Sequence, residues 1–177
     1  MTERVVTEQE PQSLVDRIAF LPWGEWSGWA TSKLVPLGGI RSVNCEEFVL
    51  FMMWLAGAEV PRTRSLELSR WPKAKRVSFE HAPKGAIAFF EHGEGFHITI
   101  FYGENRRKEP LFLHSSRHIN PFLNRDGVMV SPLPVMSSWY PGECRSLVFP
   151  ETDAAHFQHI DRIFILHEHR YKTRYWE

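Results

Sequence analysis

Apolar positions along this chain change period about halfway, and the change predicts helices first and strands afterwards. Between residues 12 and 21, Leu14, Val15, Ile18 and Ala19 recur at helical spacing, which predicts a short amphipathic helix ended by Pro22. Residues 1–11 carry no such period and read as frayed. Residues 48–58 form an almost unbroken apolar run. Asn44 stands just before this run with Glu47 three positions on, which is capping-box spacing. The run therefore reads as a helix from Cys45 to residue 56, with Gly57 as its stop. A further short helix is read at residues 65–69.

Beyond Pro83 the apolar stretches become shorter. Residues 86–90 are continuously apolar, as in a buried strand, and residues 96–102, 111–115, 128–131, 145–149 and 161–166 are further strand candidates between glycine- and asparagine-rich turns. Helices segregated from strands imply an α+β fold, with the Cys45 helix packed on an antiparallel sheet. If residues 104–107 form the turn between the second and third strands, His97 and His114 stand directly opposite each other on one face, with Cβ atoms about 4.5–5.5 Å apart.

A chain of 177 residues, 43% hydrophobic and 14% aromatic, can bury a real core and fits one catalytic domain over residues 1–177. Lys+Arg 21 balance Asp+Glu 21, so no net charge attracts nucleic acid or an anionic membrane, and no nucleic-acid partner is expected. The charged N-terminus lacks the apolar centre of a cleavable secretory signal. The run at 48–58 falls well short of the roughly 20 residues that span a bilayer. The expectation is a chain made in the cytoplasm with no membrane span, compatible with export by a dedicated secretion system. Cys45 and Cys144 cannot form a disulfide framework and read as free thiols.

Cys45 opens its predicted helix, where a free backbone N–H and the positive end of the helix dipole favour a thiolate and could stabilise an oxyanion. Glu46 and Glu47 oppose that effect. His97 and His114 on successive strands supply a base and a group to orient it, the roles that nucleophilic cysteine chemistry requires. Taken alone, Cys45 also fits a small buried hydrophobe. Trp26 and Trp29, in a glycine-rich tryptophan cluster, either line a substrate groove or pin a loop. His156 and His159 at i, i+3, with His167 and His169 on one face of the predicted strand, offer a zinc alternative. They lack the cysteine or carboxylate partners of a recognisable closed site, so neither metal nor cofactor is expected. Cys144 reads as an ordinary thiol at a strand entrance, and His81, His92 and His118 have no assigned role.

The ordered series Asn44-Cys45-Glu46-Glu47-Phe48-Val49, Ala56-Gly57-Ala58-Glu59-Val60-Pro61, Pro83-Lys84-Gly85-Ala86-Ile87-Ala88, His97-Ile98-Thr99-Ile100-Phe101-Tyr102-Gly103, Leu113-His114-Ser115-Ser116 and Gly127-Val128-Met129-Val130 resembles the NlpC-type papain-like cysteine peptidases, which cleave peptide bonds in peptidoglycan. The resemblance covers about residues 38–133. It implies a papain-like fold with Cys45 as nucleophile, His97 as general base and His114 as its orienter.

Two departures stand out. The family commonly has Asp-Cys-Ser-Gly-Phe where this chain has Asn44-Cys45-Glu46-Glu47-Phe48, and it often places an upstream tyrosine beside the oxyanion, whereas no tyrosine precedes Tyr102 here. The cysteine motif is also similar to lecithin–retinol acyltransferase-like relatives, but there the histidine strand precedes the cysteine. The resemblance implies a cysteine hydrolase of peptidoglycan stem peptides, an amidase or endopeptidase, in the manner of toxin effectors or phage lysis enzymes. A toxin would add an immunity or delivery protein as partner. The alternatives are a lipid acyltransferase or thioesterase, a protein deamidase or protease, and a non-catalytic binding module.

Overall fold

A computed structural model describes residues 9–25, 40–55, 69–70, 75–78, 81–93, 95–120, 123–142, 144–148, 154–171 and 176. Two helices come first, α1 (Gln9–Ile18) and α2 (Cys45–Leu55). Five strands follow, β1 (Lys75–Val77), β2 (Ile87–His92), β3 (Gly95–Glu104), β4 (Pro110–Asn120) and β5 (Arg125–Pro132). Helix α3 (Leu133–Trp139), strand β6 (Cys144–Val148) and helix α4 (Ala154–Arg170) complete the order. The strands form one six-stranded sheet in the order β1-β6-β2-β3-β4-β5, and every neighbouring pair is antiparallel. The α+β expectation holds, including the four strands read between residues 86 and 131.

Alternation along the strands sorts side chains onto two faces. Ile87, Phe89, Ile98, Ile100, Leu111, Leu113, Val128 and Val130 pack with apolar residues of α1, α2 and α4 in the larger core. Ala86, Ala88, Phe90, Phe101 and Phe112 pack with Met136 and Tyr140 in a smaller core under α3. Helix α2 is apolar nearly all round because α1, α4 and the sheet enclose it: Phe48 to Met53 are buried, and only Trp54 is well exposed. The sequence therefore shows this helix by its unbroken apolar character, with little amphipathic period.

Several elements differ from expectation. Helix α1 begins at Gln9, within the segment read as frayed, and Pro11 sits in its first turn, where a missing N–H breaks no helical hydrogen bond. Residues 161–166, read as a strand, lie inside α4; Ile160, Ile163 and His167 are buried at helical spacing, and Ile165 faces solvent. The run Ile163-Phe164-Ile165-Leu166 has strand-like composition, but the length of the surrounding pattern decides for helix. His167 and His169 thus belong to a helix and do not share a strand face. Strand β1 and helix α3 were not anticipated. The helix read at 65–69 falls mostly outside the described residues, with Ser69 in a turn, and Trp26 and Trp29 also lie outside them.

The exit of α1 is clamped to the start of β5. Val128 N–H donates to Leu21 O at 3.0 Å, Arg125 Nη2 donates to Phe20 O at 2.7 Å, and Trp23 N–H donates to Asp126 Oδ1 at 3.3 Å. Gly127 lies between these contacts at φ +91°, where a side chain would meet the backbone of Leu21 and Pro22. Gly127→Ala is expected to cost about 2–4 kcal/mol, combining a strained backbone with a clash against atoms that cannot swing aside. Urea denaturation measures it; a loss under about 0.5 kcal/mol would show that the clamp yields freely.

Candidate active site

Cys45 is the first residue of α2, and Asn44 caps the helix: Glu47 N–H donates to Asn44 Oδ1 at 2.8 Å. Ser115 Oγ on β4 donates to Val43 O at 2.7 Å, tying the chain just before the cap to the sheet. Strands β3 and β4 pair from Glu104–Pro110 to Ile100–Leu113, and past the last pair a residue of each strand meets the helix start. Ile98 N–H points to the Cys45 sulfur, while Ser115 takes Val43. The nucleophile candidate therefore enters from the helical layer where the two strands part.

The histidines face the other way. His97 lies across from Phe90 of the smaller core, and the alternation of β4 puts His114 on the same side as Phe112. The two are not directly opposed. Continuing the Ile100–Leu113 register sets Thr99 across from His114, so the histidines are diagonal neighbours. The turn is longer than expected, with Glu104 paired to Pro110, and the register shifts between Phe101 and Gly103. That irregularity positions the site: a one-residue change of register flips a side chain to the other face, and without it His97 and His114 would lie on opposite sides of the sheet.

Diagonal placement lets the rings touch edge to face. His97 Nε2 is 2.9 Å from His114 Nδ1, and His114 Nε2 is 2.8 Å from Ser131 Oγ on β5. All three side chains are buried. Burial, with a smaller effect from His118, lowers the His114 pKa to about 3, so this ring is neutral at ordinary pH. With His114 neutral, one protonation pattern makes Nδ1 the basic nitrogen of His97. His97 Nε2–H donates to His114 Nδ1, and His114 Nε2–H donates to Ser131 Oγ, which leaves a lone pair on His97 Nδ1.

Cys45 keeps partial solvent access, yet burial pushes its thiol up to about 11. The backbone N–H groups of Ile98, Glu46 and Cys45 pull the other way, while the charge of Glu46 adds to the rise. The expectation that the helix start favours a resting thiolate is not met: desolvation outweighs the N–H donors at the sulfur. Those donors still converge where negative charge would develop. Cys144 opens β6 without a disulfide, across from Phe90, which also pairs with His97, and packs against the smaller core.

Sequence reading gave no role to Tyr140 or Ser131. Tyr140 follows α3 and stacks on His97, with centroids 3.8 Å apart and planes 5° apart, and it lies near enough to Cys45 that an ionised thiol would raise its phenol further. Ser131 closes the alternation of β5 on the His114 side; a single hydroxyl after Val128-Met129-Val130 on a buried strand was the available signal. Among the described residues, no group of three or more His, Cys, Asp or Glu side chains is placed to hold a metal ion. No described helix is long and apolar enough to cross a membrane. No protein-family model matches the chain, and comparison with curated proteins finds no match either.

Proposed function

We propose that this chain is a papain-like cysteine hydrolase acting on amide bonds, with peptidoglycan stem peptides as its substrate class. The observation that carries the reading is the relay His97–His114–Ser131, which ends at a strand position whose next residue, Ile98, gives its N–H to the sulfur of a helix-start cysteine. Because the resting thiol is neutral, attack and proton transfer are coupled. The Cys45 S–H bond breaks, the proton moves to His97 Nδ1, and the sulfur electron pair forms the bond to the carbonyl carbon. His97 then returns the proton to the nitrogen as the C–N bond breaks. Water hydrolyses the thioester with His97 again as base. The Ile98, Glu46 and Cys45 N–H groups are positioned to offset the developing charge.

Mass spectrometry of purified peptidoglycan and of a phospholipid panel, after incubation with the wild type and with Cys45→Ala, tests the proposal. New free amines in stem peptides, produced by the wild type alone, support it. Release of fatty acid would move the assignment to a lipid acyltransferase or thioesterase. No change in either substrate class would sink the peptidoglycan assignment.

A further inference from the structure

The second member of the relay, His114, is a neutral imidazole, where a carboxylate would balance the charge of a protonated base directly. One exposed-to-contact face of His97 is instead covered by the Tyr140 ring, parallel to it at 3.8 Å. That ring is held at both ends. Its backbone N–H donates to Met136 O at 2.8 Å, and its hydroxyl lies 2.8 Å from Ser116 Oγ, both side chains being buried. Ser116 Oγ also accepts the His118 N–H at 3.1 Å, so the anchor is itself fixed.

We propose that Tyr140 is a positioning residue for the base, whose π face stabilises the imidazolium that His97 becomes on taking the Cys45 proton and fixes the plane of its ring. The inference deepens the proposed function and rests on its assignment of Cys45 and His97 as nucleophile and base. The step moves one proton: S–H breaks, N–H forms at His97 Nδ1, and the electron pair stays on sulfur. A cation over an aromatic face at this distance is favoured by the ring quadrupole, and the preference grows as water is excluded. Both Tyr140 and His97 are buried.

On α2, Cys45 is a neutral thiol at rest and Glu46 acts on it; on β4, His114 is neutral, His118 acts on His114, and Arg117 acts on the Tyr140 phenol; β2 sets Phe90 across from His97. Burial holds the phenol up at about 12, so the ring over His97 stays uncharged through the working range.

The experiment is an NMR titration of the His97 ring in the full chain, with Tyr140→Phe and then a graded series of fluorinated phenylalanines at position 140. These analogues keep the ring's shape while withdrawing charge from its face, so they avoid the packing loss that Tyr140→Leu risks. The His97 pKa is expected to fall stepwise, by roughly one pH unit across the series. A pKa that stays flat across the series overturns the proposal. Cys45 alkylation by iodoacetamide, followed against pH, reads the underlying assignment separately. Its midpoint should move with the His97 titration, and the same pH dependence in His97→Gln as in the wild type would overturn the nucleophile–base assignment while the titration still reports on the stack.

Discussion

Cys45→Ala and His97→Ala are each expected to remove turnover of an amide substrate almost completely, whereas His114→Asn keeps measurable activity. The difference follows from what each group touches. Without Cys45 there is no atom to form the thioester. Without His97 a thiol held up at about 11 has no acceptor for its proton, and removal of a general base costs about 10²–10⁴-fold. His114 contacts His97 and Ser131, its Nδ1 lying 2.9 Å from His97 Nε2 and its Nε2 2.8 Å from Ser131 Oγ, and an asparagine carbonyl can accept from His97 while its amide group turns toward Ser131. His114→Leu removes both contacts, leaves His97 Nε2–H and Ser131 unsatisfied in a buried site, and should fall well below His114→Asn. Combining Cys45→Ala with His97→Ala should add little to either, since the pair acts as a unit. Steady-state kinetics on whichever amide substrate the wild type turns over provides the measurement. His97→Ala near the wild-type rate would end the relay assignment, and His114→Leu equal to His114→Asn would show that the His97 tautomer is set by something else.

How much of this site was legible in the sequence depended on the range of the interactions. The Asn44 cap is local, and the residues that make it are three apart, so the helix start at Cys45 could be placed from composition and spacing. Strand existence was also local, carried by apolar runs of the right length. The diagonal pairing of His97 with His114 was not, because it depends on a longer turn and on a register shift next to Gly103, and neither leaves a mark that fixes the count. The right face was reached with the wrong register: an error of two residues along a strand preserves which side a residue faces. Tyr140 was less accessible still. It is placed by α3, a seven-residue helix with proline at its start, too short to show a helical period in the sequence. The neutral state of Cys45 was out of reach for a different reason, since desolvation is a property of everything packed around the sulfur, while the helix dipole belongs to the segment itself.

Acid should destabilise this protein from about pH 6.5 downward, because two buried histidines are neutral in the fold. His114 is held at about 3 chiefly by burial, and His167 at about 4, again chiefly by burial, with Arg125 and Arg170 adding repulsion against the Ala19 carbonyl that partly opposes it. In the unfolded chain both rings return to about 6.5. A base whose folded pKa lies below its unfolded value leaves the unfolded state binding more protons between the two values. The stability it contributes is complete above about pH 6.5 and is lost as the pH falls, until about pH 4 for His167 and about pH 3 for His114. Each can withdraw on the order of 3–5 kcal/mol over its window, against a total that for domains of this kind is about 5–15 kcal/mol. The urea midpoint should therefore drop steeply between about pH 6.5 and pH 4, the range set by these two rings. His167→Gln separates the contributions. An uncharged amide can still donate to Ala19 O, which His167 Nε2 meets at 2.7 Å beside the Phe20 ring, so this variant should lose less stability on acidification than the wild type. A wild-type midpoint that holds steady from about pH 7 to pH 4 would mean that both rings find a proton partner in the fold, and the neutral relay drawn through His114 would have to be redrawn with a charge.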